Sequence, residues 1–141
     1  MFLLAGVYLC AANAYCQPKT APAWSAKFKA TVNWQRVHAL GYLIVGTGDG
    51  LYGVNPNDGK IIWQNKKFAG LFADNYQEVE GTEFITITPP NDNNAAFRMQ
   101  AIIDVVSGKV LFDSEQEKIG VLSRHVLPGS GRLLVIGARP N

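Results

Sequence analysis

The sequence predicts an all-β chain assembled from repeated four-stranded antiparallel meanders. One observation is repetition: Gly50-Leu-Tyr-Gly-Val-Asn-Pro-Asn-Asp-Gly-Lys-Ile-Ile-Trp63 has a degenerate copy in Met99-Gln-Ala-Ile-Ile-Asp-Val-Val-Ser-Gly-Lys-Val-Leu-Phe112. Gly59, Lys60 and Trp63 are separated from Gly108, Lys109 and Phe112 by one constant offset of 49 positions, a period in the range of repeat arrays such as propellers. A second observation is the texture of the chain from Trp24 onward, where short apolar runs are broken by Gly, Asn, Asp and Pro, as in meandering strands. Beyond the N-terminal apolar run, no stretch keeps a helical period for three turns.

Residues Phe2 to Ala14 are uncharged and apolar, which suits the hydrophobic core of a secretory signal and falls short of the roughly 20 residues a bilayer span takes. Residues 1–16 are therefore expected to be a signal peptide and 17–23 an exposed leader with two prolines. This implies an exported protein, periplasmic or extracellular, with no transmembrane span. Cys16 raises lipid anchoring, which is disfavoured by Tyr15 where a small residue would be needed. Both cysteines lie in or beside this segment, so disulfides and thiolate metal sites are not expected in the body of the chain.

The body, 24–141, divides into repeats at about 24–68, 69–118 and 119–141. Trp24-Ser-Ala-Lys-Phe28 resembles Trp63-Gln-Asn-Lys-Lys-Phe68, so it reads as a fourth, outermost strand without its own first three. In the first full repeat the expected strands are Gln35 to Leu40, Leu43 to Thr47, Leu51 to Asn55 and Lys60 to Asn65. Gly48-Asp49-Gly50 would supply positive φ for a tight hairpin, and Pro56-Asn57-Asp58-Gly59 a reversal with Asp-Gly in the left-handed region. The second repeat reads as strands near Tyr76 to Glu80, Phe84 to Thr88, Phe97 to Asp104 and Lys109 to Ser114, with a polar loop from Pro89 to Asn94. A third begins at Val121, where His125-Val126-Leu127 resembles His38-Ala39-Leu40 and Leu134-Val135-Ile136-Gly137 resembles Ile44-Val45-Gly46. It holds two strands around a Pro-Gly-Ser-Gly turn.

Taken together, Gly46-Thr-Gly-Asp-Gly-Leu-Tyr-Gly-Val-Asn-Pro-Asn-Asp-Gly-Lys-Ile-Ile-Trp63 resembles the blade motif of the pyrroloquinoline-quinone-like β-propeller repeat family, a recurring G-T-x-D-G-x-L-Y-A-L-D-x-x-T-G-K-x-x-W. The second repeat departs from it at Ser107, Ile103 and Phe112. The resemblance covers roughly Trp24 to Ala138 and implies two full blades plus partial ones, belonging to a larger propeller of six to eight blades. Its relatives divide into quinone-dependent dehydrogenases and non-enzymatic scaffolds. Read physically, Gly50 and Gly59 serve tight turns, Asp58 initiates one, Lys60 opens the outer strand toward solvent, and Trp63 buries its ring between blades. That burial is worth about 2 to 3 kcal/mol. Gly108, Lys109 and Phe112 repeat these roles.

The chemical candidates are few. Gly48 to Gly53 fits G-x-G-x-x-G, but a phosphate loop must open a helix and Asn-Pro-Asn-Asp-Gly follows instead. His38 and His125 fall at matching places in the innermost strands, with Glu78 at the nearest equivalent of the second repeat, and all three are candidate channel-lining residues. Asp49, Asp58, Asp92 and Asp104 invite a calcium reading, yet they sit in separate turns, which turn formation explains. No Gly-x-Ser-x-Gly elbow occurs. Thirteen basic and eleven acidic residues leave +2, with no basic block beyond Lys66-Lys67, so nucleic-acid binding gains no support. The expected function is a non-catalytic, cofactor-free scaffold that binds protein or glycan through its loops and self-associates through open blade edges. The alternative is a segment of a dehydrogenase using pyrroloquinoline quinone with calcium.

Overall fold

The computed structural model describes residues 23–89 and 99–139. The expected signal segment, Asp92 and most of the Pro89 to Asn94 loop lie outside them. The chain is all-β in the predicted manner: two four-stranded antiparallel sheets, each ordered as a simple meander, and a third sheet of two strands. Sheet A contains β1 (Val32–Val37), β2 (Leu43–Thr47), β3 (Gly50–Val54) and β4 (Ile61–Asn65). Sheet B contains β5 (Tyr76–Glu78), β6 (Phe84–Ile87), β7 (Ala101–Asp104) and β8 (Val110–Asp113). Sheet C pairs β9 (Gly120–Leu127) with β10 (Arg132–Ala138). The sheets do not close into a ring.

The turn between the third and fourth strands shows why the sequence repeats. In sheet A the Asn55 amide donates to the Lys60 carbonyl (2.9 Å) and the Gly59 amide to the Asn55 carbonyl (2.9 Å). In sheet B the Asp104 amide donates to the Lys109 carbonyl (3.0 Å) and the Gly108 amide to the Asp104 carbonyl (2.8 Å). Gly59 and Gly108 both take φ 71°, a left-handed conformation that disfavours any residue with a Cβ. Asp58 accepts from the Lys60 amide (3.0 Å), and Asp104 accepts from the Val106 amide (2.8 Å) and the Ser107 hydroxyl (2.9 Å). The aspartates of these turns are thus engaged in forming them.

Several local expectations differ from the structure. β1 starts three residues earlier than expected and ends before His38, because His38 and Gly41 form a turn, with His38 donating to the Tyr42 carbonyl (2.8 Å) and Gly41 to the His38 carbonyl (2.7 Å). In the β2–β3 hairpin only Gly50 of Gly48-Asp49-Gly50 has positive φ. There the Asp49 carboxylate does the organising, accepting from Thr47 Oγ1 (2.6 Å) and the Tyr52 hydroxyl (3.0 Å). Residues 24–28 join no strand; Trp24 and Phe28 pack on sheet A instead. Past β8, Ser114 opens the one-turn helix α1 (Ser114–Glu117) capped by Asp113, where a strand end was expected.

Strand alternation assigns every sheet a forward and a backward face. Ile44, paired with Gly53 and through it with Trp63, lies on the forward face of sheet A. That face shares one apolar core with the backward face of sheet B, which carries Ile85, Ile87, Ala101 and Ile103. The forward face of sheet B, with Phe84, Ile102 and Phe112, faces Leu133 and Val135 of sheet C. The backward face of sheet A holds Val45, Tyr52 and Val54, covered by Trp24 and Phe28.

Candidate functional site

Two constructions recur between successive sheets, and both use residues that the sequence singles out. The Trp63 ring is 9% exposed. It is sandwiched between Gly53 on its own sheet and Gly108 on the next, since a Cβ at Gly53 would stand 2.7 Å from Trp63 Cζ2 and one at Gly108 2.5 Å from Trp63 Cδ2. Its indole N–H donates to the Val105 carbonyl (2.7 Å). Trp24 repeats this on sheet A: its ring lies on Gly59, where a Cβ would stand 2.7 Å from Cδ2, and its N–H donates to the Pro56 carbonyl (2.5 Å). Pro56 and Gly59 lie 49 positions before Val105 and Gly108. Trp24 therefore occupies on sheet A the place that Trp63, from the fourth strand of sheet A, occupies on sheet B.

Lys60 is exposed, with an ion pair to Asp58 (3.2 Å), and Lys109 is exposed in the equivalent place. Phe112, the counterpart of Trp63, meets no such glycine turn in sheet C. It lines an open groove of about 540 Å³ with Ile102, Leu111, Leu133 and Val135.

The second construction is polar and lies where β1, β5 and β9 begin their sheets. His38 is 1% exposed. Its Nδ1 accepts from the Leu40 amide (3.1 Å), so in the neutral ring the proton sits on Nε2, 3.6 Å from Glu78 Oε1. Glu78 also accepts from the Ala39 amide (3.0 Å). His38, in the turn after β1, and Glu78, at the end of β5, are thus brought together. His125 is not with them: it pairs with Leu134 and is exposed on the forward face of sheet C. On the backward face Arg124 donates to Gln77 Oε1 (2.8 Å). Among the described residues no group of three or more His, Cys, Asp or Glu side chains could hold a metal ion.

Sequence reasoning did not single out several residues at these junctions. Trp34 donates its indole N–H to the Leu71 carbonyl (2.9 Å) and packs on Gly46. Its ring also meets Tyr76 at 5.4 Å between centroids. The Tyr76 hydroxyl is buried without a hydrogen-bond partner among the described residues. Burial, with the Glu78 carboxylate adding to it and Arg36 opposing, pushes its phenol up to about 12. Lys67 bridges to Asp113 and, at 3.3 Å, to Glu115. The hydrogen bond to Asp113 leads in raising its ammonium pKa. Trp34 carried a legible signal, an aromatic opposite a strand glycine; Lys67 and Tyr76 have no motif to mark them.

No family model, no curated protein and no solved structure matches this chain.

Proposed function

We propose that this protein is a non-catalytic, exported binding scaffold built from blades of the pyrroloquinoline-quinone-like propeller type, which takes a protein or glycan partner at its third sheet. The observation that carries the reading is the fate of the motif residues. Gly59, Trp63, Gly108 and Asp58 are consumed in turns and in packing one sheet on the next, which leaves Lys60 and Lys109 exposed and remote from the core. Among the described residues the groove beside Phe112 stays open and the side of β10 away from β9 is unpaired. An apolar groove next to an unpaired strand edge suits an extended segment that adds to the sheet and places a side chain in the groove.

The test has two arms. The full chain is titrated with pyrroloquinoline quinone and calcium in a dye-linked dehydrogenase assay over a panel of alcohols and sugars; no turnover is expected, and turnover would replace this reading with the enzyme. The labelled chain is also applied to arrays of defined oligosaccharides and extended peptides. Binding that is lost in Phe112→Ser is expected, and binding indifferent to that change would remove the groove from the site.

A further inference from the structure

We propose that the partner at the third sheet is a second copy of this chain, joined head to tail, with the forward face of sheet C in one copy stacked on the backward face of sheet A in the next. The inference rests on the reading of the three sheets as successive blades and takes the same third sheet on the face opposite the Phe112 groove, with the free side of β10 common to both.

The chain displays its own rule for stacking sheets. The forward face of A packs on the backward face of B, and the forward face of B and the backward face of C line the two sides of one groove, bridged by Arg124 and Gln77. Ile44 points forward and Val45 backward in β2, and Leu134 and Val135 of β10 repeat that pair, Val135 turned back toward sheet B. Leu134 and Ile136 therefore face forward, and they are 45% and 43% exposed. A forward face built like that of sheet A stands uncovered.

The backward face of sheet A is its counterpart. It carries Val45, Tyr52 and Val54, of which Tyr52 and Val54 lie 49 positions before Ala101 and Ile103 of the B core. Trp24 and Phe28 cover part of it, Phe28 edge-on to Tyr52 at 5.2 Å. The rest is open: Val37, on the same face through its pairing with Leu43, is 68% exposed, and neighbouring Leu40 is 55% exposed.

The position of Trp24 decides the direction of joining. It lies on the Gly59 turn as the outermost-strand tryptophan of a preceding sheet would, while residues 24–28 pair with no strand. Sheet C supplies the first two strand positions of such a sheet and, among the described residues, leaves the side of β10 away from β9 unpaired. Stacking C of one copy on A of the next brings these two parts of one repeat together, with residues 24–28 on the outer side of β10. The contact is heterologous, using two different surfaces.

That property gives a decisive experiment on the full chain. Ile136→Glu blocks only the sheet C surface and Val37→Glu only the sheet A surface; both positions are exposed, and circular dichroism with thermal unfolding checks that each variant is folded. In analytical ultracentrifugation the wild type is expected to form a discrete assembly larger than a monomer. Each variant alone should be monomeric, and an equimolar mixture should form a dimer through the one intact pair of surfaces. A monomeric wild type, association unchanged in either variant, or a mixture that stays monomeric would overturn the proposal. If the copies fail to associate while the arrays still show Phe112-dependent binding, self-association through the forward face is wrong and the groove reading stands. If both fail, the scaffold reading falls too.

Discussion

Replacing Gly108 by alanine tests whether the repeat is held together by a tryptophan seated on a glycine. Two costs fall on that position. At φ 71° an L-residue pays about 1 to 2 kcal/mol of backbone strain. The new methyl would also stand 2.5 Å from Trp63 Cδ2 and 2.8 Å from its Cβ, so the ring must leave its seat. Surrendering roughly half of a burial worth about 2 to 3 kcal/mol, together with about 1 kcal/mol for the Val105 hydrogen bond, adds about 2 kcal/mol. The total, about 3 to 4 kcal/mol, is a large part of the stability of an ordinary domain. Gly81 is the control, since it has φ 72° with nothing within 4 Å of a built Cβ, and Gly81→Ala should show the strain alone. Equilibrium urea unfolding followed by circular dichroism measures both. In a Trp63→Leu background the excess cost of Gly108→Ala over Gly81→Ala should shrink, as a double-mutant cycle reads for two residues in contact. Equal losses for the two alanines in the wild-type background would refute the reasoning.

Three further outcomes are expected. The Tyr76 phenol is pushed up to about 12, above its ordinary 10.0, so its contribution is fully present below pH 10 and is lost as pH rises through the folded value, amounting to about 2 to 3 kcal/mol. Tyr76→Phe should flatten alkaline destabilisation and, by removing a buried unpartnered hydroxyl, raise stability at neutral pH by about 1 kcal/mol; urea midpoints across that pH range check both. Lys67→Met leaves the Asp113 carboxylate, 7% exposed, without its cation and should cost about 1 to 3 kcal/mol, recovered in part by adding Asp113→Asn, as urea unfolding at neutral pH will show. Trp24→Ala uncovers Val45 and Val54 and should cost about 1 to 2 kcal/mol, whereas Ser25→Ala, at an exposed position, should leave the urea midpoint unchanged.

Most of the framework was legible because it is written in local turn chemistry. Asp58-Gly59 and the Gly108 turn demand left-handed glycines, and the apolar runs between turns are too short for helices, so β2 emerges with its expected bounds. Errors arose where side chains took over from backbone. Thr47, Asp49 and Tyr52 close the β2–β3 hairpin through a hydroxyl–carboxylate network, which a count of glycines cannot anticipate. Residues 24–28 carry a strand-like sequence but find no paired strand; only the tryptophan keeps its expected place. The candidate site was legible in halves: His38 and Glu78 could be matched by register, but that His38 would be buried against Glu78 while His125 faces away depends on sheet stacking. The Lys67–Asp113 bridge joins residues 46 positions apart, and nothing local marks it.

The repeat also dictates where this molecule is weak. In an array each sheet is stabilised by its neighbours, so stability is a sum of units and junctions. Sheet B is covered on its backward face, while in sheet C only Gly120 and Val121 are buried, and its forward face presents Leu134 and Ile136 to solvent. With so little buried surface, sheet C opens at lower free energy than sheets A and B, and its amides should exchange first. A sheet of that kind gains most from whatever covers it. The proposed binding at the third sheet would then be coupled to its ordering, and the exchange protection of β9 and β10 should rise with occupancy while that of β2 and β3 stays unchanged. The same tryptophan-on-glycine seat that joins sheets A and B therefore sets, by its absence beside Phe112, the sheet that the proposed partner would order.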